Sequence, residues 1–99
     1  MKNLTLRNLT KVCNGIWHGD NALLDQEISA ITTDSRKIEK DCLFVPIVGE
    51  RVDAHRFIPD VMTKGALATL SERELPEADY AYIQVEASLQ AVKDIAEFY

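Results

Sequence analysis

Apolar residues recur along the chain with two spacings, one of helical period and one of strand period. Between residues 4 and 14, Leu6, Leu9, Val12 and Cys13 fall on one helical face. Thr5 is placed to cap the start of that helix, and Gly15 to supply the left-handed residue that ends it. A short strand through Ile16, Trp17 and His18 follows, with a turn at Gly19, Asp20 and Asn21. Trp17 is expected to pack, and His18 to be an exposed strand residue. Residues 28–33 alternate and are rich in β-branched side chains, which predicts a strand running directly into Asp34, Ser35 and Arg36.

Residues 42–48, C-L-F-V-P-I-V, are apolar without interruption, as expected of a strand buried on both faces between two layers. Pro46 cannot donate to a ladder, so that strand is expected to be at an edge or locally irregular there. Residues 49–53 form a loop, and a helix is predicted from about His55 to Lys64 with Phe57, Ile58, Val61 and Met62 inward. Pro59 is tolerable only in its first turn, and Gly65 ends it. Residues 66–70 make a short strand, 71–79 (S-E-R-E-L-P-E-A-D) a solvated acidic loop, and 80–85 a further strand. In that strand Tyr80, Tyr82 and Gln84 alternate against Ala81, Ile83 and Val85. Ser88 is expected to cap a last helix whose inner face carries Leu89, Val92, Ile95, Ala96 and Tyr99. That helix runs to the last residue without a stop signal, as if the chain were cut at a domain edge. The succession predicts an α/β fold: a small mixed β-sheet packed with helices.

Ninety-nine residues suffice for one domain with a modest core. The formal net charge of −5 argues against nucleic acid, whose phosphates select clustered Lys and Arg. It leaves room for an anionic small ligand, because local donors can outweigh a distant acidic balance. No apolar run approaches the ~20 residues that span a bilayer, and the first ten residues lack the apolar core of a secretory signal. Cys13 and Cys42 have no metal-type spacing and sit among apolar neighbours, as reduced core cysteines of a cytosolic protein do.

Two polar clusters flank the 42–48 run. Asp34, Ser35 and Arg36 form either a strand-ending turn, in which Asp34 accepts backbone N–H groups, or a contact site. In the second case Ser35 offers a two-way hydrogen bond and Arg36 a fork for phosphate or carboxylate. Spacing alone favours the turn. The second cluster, Gly49, Glu50, Arg51, Val52, Asp53 and His55, leads into a helix N-terminus, which favours anions. Gly49 permits a close or left-handed backbone there. Asp53 suits a helix cap, and His55 either a capping or a ligand contact. The four glycines do not make a G-x-x-x-x-G-K-[ST] phosphate loop, and there is no G-x-G-x-x-G, zinc set or nucleophile–base pair. The chain by itself is expected to bind rather than catalyse, and not to hydrolyse ATP.

In order and spacing, T-T-D-S-R-K-I, then C-L-F-V-P-I-V-G-E-R-V-D-A-H-R-F-I, then K-G-A resembles the N-terminal domain of the Mur ligases of peptidoglycan synthesis. The opening L-T-L-R-N-L-T and N-G-I-W-H-G-D is also similar, to the members that add D-alanyl-D-alanine. The resemblance implies a three-domain ATP-dependent ligase whose first domain, here residues 1–99, binds the UDP end of UDP-N-acetylmuramoyl-tripeptide. ATP and Mg²⁺ would belong to a central domain and the incoming dipeptide to a C-terminal one, with no cofactor in these residues. Ser35, between Asp34 and Arg36, matches the position that contacts the uridine diphosphate. Gly49, Glu50, Arg51 and Val52 match the loop lining the uracil pocket. Asp41 stands where the family usually has Gly, suggesting a different turn, and Pro46 where it usually has Ala. The sibling ligase adding the third peptide residue shares these signals, and a free-standing nucleotide-sugar-binding module is the alternative of another class.

Overall fold

In the computed structural model, which describes residues 4–76 and 78–98, three helices and five short strands alternate along the chain. They are α1 (Leu6–Val12), β1 (Ile16–His18), β2 (Ile31–Thr32), β3 (Leu43–Phe44), α2 (Ile58–Thr63), β4 (Ala68–Ser71), β5 (Tyr82–Gln84) and α3 (Ser88–Phe98). Single 3₁₀ turns at Asn21–Leu23 and Ala54–Phe57 complete the regular structure. The strands make one mixed sheet in the order β1-β5-β4-β3-β2, with β2 to β5 parallel and β1 antiparallel to β5. The expected fold class is therefore the observed one.

Each face of the sheet buries its own layer. Leu43, Val45, Ala68, Leu70, Ala81, Ile83 and Val85 pack with Leu6 and Leu9 of α1 and Ala91 and Ile95 of α3. On the other face Phe44 packs with Ile58 and Val61 of α2. Successive side chains of β3 thus enter different cores, which is why residues 42–46 are apolar throughout and buried. The same register aligns Thr32, Phe44, Thr69, Tyr82 and His18 in a row across the sheet. Thr69 is tolerated there because its hydroxyl donates to the Phe44 and Leu70 carbonyls, at 3.2 and 2.8 Å. Trp17 packs against the α1/α3 core as expected.

Several local expectations are corrected. The strands are shorter than their apolar runs, because β3 pairs through only two residues and its ladder stops before Pro46. Pro46 is irregular in that sense but not at an edge, since β3 lies between β2 and β4. Thr5 does cap α1, accepting the Asn8 N–H at 3.2 Å. The left-handed residue after α1 is Asn14 (φ 54°), not Gly15. Gly15 is required by space instead, as a Cβ there would sit 2.5 Å from Ile83 Cγ2 and 2.9 Å from the Gln84 carbonyl oxygen. Asp41 has φ 65°, a left-handed conformation that Asp adopts more readily than most side chains. The helix expected from His55 opens as a 3₁₀ turn and becomes α-helical only at Ile58; Pro59 lies in that first turn and Gly65 (φ +113°) ends it.

Along α3 the inner face is Ser88, Ala91 and Ile95, whereas Leu89 is 55% exposed and Ala96 faces solvent. Met1, Lys2, Asn3, Glu77 and Tyr99, which enter the expectations for the N-terminus, the acidic loop and α3, lie outside the described residues. Cys13 and Cys42 are free and buried; burial, with Asp94 adding repulsion, pushes the Cys13 thiol up to about 11. Among the described residues no helix is long and apolar enough to cross a membrane.

Candidate functional site

Because β2 to β5 are parallel, the chain leaves all four strands at one edge of the sheet. Open α/β sheets present ligand-binding groups at that edge. Here the exits carry Asp34, Ser35 and Arg36 after β2, residues 48–55 after β3, Glu72 and Arg73 after β4, and Glu86 after β5.

After β2, Asp34 closes a compact turn. Its carboxylate accepts the Arg36 backbone N–H at 2.9 Å and the Arg36 Nε and Nη2 at 3.1 and 3.2 Å. One edge of the Arg36 guanidinium, Nε and Nη2, is thus engaged by Asp34, while the side chain is exposed to solvent. The hydrogen bonds from Arg36 hold Asp34 below the usual carboxylate range and raise Arg36 in return. Ser35 is half-buried, and its carbonyl accepts from Lys64 Nζ at 3.3 Å, the same amine that pairs with Asp60 at 2.9 Å. The Ser35 hydroxyl makes no hydrogen bond to another described residue and remains available. Asp34 and Arg36 therefore close the turn, and they present the Ser35 hydroxyl and the outer edge of the Arg36 guanidinium at this sheet edge.

After β3, Val48 and Asp53 form an antiparallel bridge, and the Gly49 N–H donates to the Val52 carbonyl at 2.9 Å. The Ala54 N–H adds a bond to the Ile47 carbonyl at 3.2 Å. These bonds make residues 48–53 a miniature hairpin with Glu50 and Arg51 at its tip and residues 48–52 exposed. Gly49 does not adopt the left-handed conformation; a Cβ there would lie 3.3 Å from the Val52 oxygen, so its role is the tightness of this turn.

Asp53 and His55 belong to a different, inward-facing arrangement. Asp53 accepts the His55 N–H at 2.9 Å and so caps the 3₁₀ turn, as expected. The same oxygen lies 2.7 Å from His55 Nδ1, and the other carboxylate oxygen takes Arg73 Nη2. His55 is 5% exposed, and its Nε2 lies 2.9 Å from the Glu72 backbone nitrogen. A backbone N–H can only donate, so Nε2 is the acceptor and Nδ1 carries the proton given to Asp53. Both ring nitrogens are thereby engaged within the protein. Burial pushes its pKa down, with the Glu72 charge opposing.

The sign of that shift predicts a pH effect. The unfolded chain takes up a proton at the ordinary imidazole value, and the folded chain only at a lower pH. The contribution of His55 is therefore fully present above the ordinary value, and lost as pH falls from there to the depressed folded value. Urea denaturation at stepped pH is expected to show this loss, and His55→Gln to remove it.

Glu72 and Arg73 were not distinguished from the solvated acidic loop by sequence, yet they bind the network together. The Glu72 carboxylate reaches the start of α3, where Oε2 accepts the Ser88 N–H at 2.7 Å. The Ser88 hydroxyl, expected to be the cap, is buried without a partner among the described residues; Glu72 does the capping. Their position marks them, since charged residues directly after a buried strand of a parallel sheet fall at the edge where ligand-binding groups gather. The 34–36 turn and the 48–55 segment share that edge, but no hydrogen bond or ion pair between them is present among the described residues. His18 is half-buried rather than exposed: its ring stacks on Tyr82 at 4.4 Å and bonds Gln84 at 3.0 Å. A cavity of about 380 Å³ beside this stack includes none of the expected site residues.

No group of three or more metal-ligating side chains occurs among the described residues.

The chain is similar in sequence and fold to known proteins. Residues 27–99 match the model of the Mur ligase family, catalytic domain. A UDP-N-acetylmuramoyl-tripeptide–D-alanyl-D-alanine ligase of Buchnera aphidicola is 41% identical over 76 residues, 75% of this chain and 16% of that protein. A UDP-N-acetylmuramoyl-L-alanyl-D-glutamate–2,6-diaminopimelate ligase of Cytophaga hutchinsonii is 46% identical over 76 residues, 73% of this chain and 15% of that protein. The crystal structure of MurF from Acinetobacter baumannii superposes with a TM-score of 0.84 at 32% identity, covering 95% of this chain and 20% of that one. The chain thus spans about a sixth to a fifth of the length of the relatives it matches. It belongs to the Mur ligase family.

Proposed function

We propose that these residues are the UDP-binding N-terminal domain of an ATP-dependent ligase that adds D-alanyl-D-alanine to UDP-N-acetylmuramoyl-tripeptide. The observation that carries the reading is the pairing, at one sheet edge, of an unused Ser35 hydroxyl with the exposed hairpin of Gly49, Glu50, Arg51 and Val52. These are the positions that the family pattern matches to the uridine diphosphate and the uracil pocket. Asp34 and Arg36 hold the serine turn in shape, while Asp53 and His55 hold the base of the hairpin. The matching family description refers to a catalytic domain, but binding is what these side chains support. ATP, Mg²⁺, the acceptor dipeptide and the bond-forming step belong to the central and C-terminal domains of such a ligase. Its place is the cytoplasm, where Cys13 and Cys42 stay reduced. The similarity to a diaminopimelate ligase favours a second reading, in which the full protein adds the third peptide residue; the UDP end is common to both.

Ser35→Ala tests the assignment. Loss of one hydrogen bond to a charged or strongly polar ligand group removes ~1.5–3 kcal/mol, so affinity for UDP-N-acetylmuramic acid is expected to fall about tenfold or more. Calorimetric titration of the folded variant checks this. An unchanged Kd would leave Ser35 as a turn residue only.

A further inference from the structure

Beyond ligand contact, the hairpin must be held in place, and the buried ring at its base supplies the means. We infer that His55 is a positioning residue whose neutral ring acts as a strut between the 49–52 hairpin and the end of β4, so that proton uptake by this ring loosens the hairpin. Its consequence for binding rests on the functional reading above; the strut itself does not.

The strut has two ends of unlike chemistry. At one end Nδ1–H donates to Asp53, the residue bridged to Val48 across the hairpin base. At the other, Nε2 accepts from the Glu72 N–H, one residue beyond β4. Protonation puts the ring's second N–H at Nε2, directly opposing the Glu72 N–H, and two donors 2.9 Å apart cannot both stay. The bond to Asp53 survives and gains charge, so the ring moves with the hairpin and parts from β4. The charged groups facing the ring are Asp53, Arg73 and Glu72. Arg73 pairs with Asp53, and Glu72 Oε2 accepts the Ser88 N–H, which holds that carboxylate at the start of α3. A bond from the charged ring to the other Glu72 oxygen would be made from that position and would not restore the backbone contact at the end of β4. A histidine whose nitrogens met only solvent or only carboxylates would not have this property.

The test is an NMR titration of the ¹⁵N-labelled chain from about pH 8 downward through the His55 transition, which burial sets below the ordinary imidazole value. The His55 ring is expected to be the Nδ1-protonated tautomer at the upper end. The Glu72 amide and the Gly49, Glu50, Arg51 and Val52 amides are expected to shift with the same midpoint as the ring. In His55→Gln, which keeps an acceptor but cannot titrate, that shared step should vanish. If the variant does not fold, the parent titration still decides. An Nε2-protonated ring, or hairpin amides that stand still through the His55 transition, would overturn the inference. A second arm uses UDP-N-acetylmuramic acid, whose two phosphates are both esterified and do not titrate in this range. Its affinity for the parent is expected to fall about tenfold across the transition, and affinity independent of pH in a chain that binds would also overturn it. A parent that binds at no pH would defeat the functional reading, while the amide titration would still judge the strut.

Discussion

Phe44→Ala is expected to remove about 3–5 kcal/mol of stability, the usual result of deleting a fully buried aromatic side chain. Phe44 has no exposed surface, and with Ile58 and Val61 it forms the buried centre of the layer between the sheet and α2. Ile38, Phe57 and Met62 lean on the same cluster, so the cavity would be walled by several elements that cannot all collapse into it. A domain of this size has roughly 5–15 kcal/mol in total, and a large part of it rests on this one ring. Urea denaturation should show a lower midpoint with little change in slope. Leu89→Ala is the informative control: at 55% exposure it should stay within about 0.5 kcal/mol. A Phe44 variant as stable as the control would mean that α2 does not depend on β3 for its packing.

Gly49→Val is expected to abolish detectable UDP binding in a chain that still folds. The backbone at Gly49 is not left-handed, and its Cβ would meet only the Val52 oxygen, at 3.3 Å, in an exposed hairpin. The stability change is therefore of order ~1 kcal/mol. Binding is another matter, because a branched side chain would press on the Gly49–Val52 closure of the turn and stand where a flat base must approach. Comparing ligand-induced shifts of parent and variant well below the melting temperature separates the two effects. A folded Gly49→Val chain that binds UDP as the parent does would place the pocket away from this hairpin.

The two-layer burial of the sheet was legible because residues 42–46 are apolar on both faces, as a strand covered on both sides is, although the run continues to Val48, which is exposed. Strand ends were not, because hydrophobicity marks burial whereas a ladder ends where its partner strand turns away. Pro46 shows the difference: it is buried, yet it lies beyond the last paired residue of β3. Backbone handedness was legible at Gly65 but not at Gly15, where Asn14 takes the positive φ and the glycine answers to Ile83, 68 positions on. Asp53 could be recognised as a cap from its offset to the following turn. The network around it could not, since Glu72 reaches His55 and Arg73 reaches Asp53 only through the placement of β4 beside β3. In the same way Leu89 fits the helical period of α3, but the sheet meets that helix one residue row away.

The most direct measurement is a titration of the ¹⁵N-labelled chain with UDP and with UDP-N-acetylmuramic acid, followed by amide shifts. Saturable shifts are expected at Asp34, Ser35 and Arg36 and at Gly49, Glu50, Arg51 and Val52, with both ligands moving the same set. Absence of shifts at these residues under saturating ligand, or shifts confined to the cavity beside His18 and Tyr82, would contradict the assignment of the UDP site to this sheet edge.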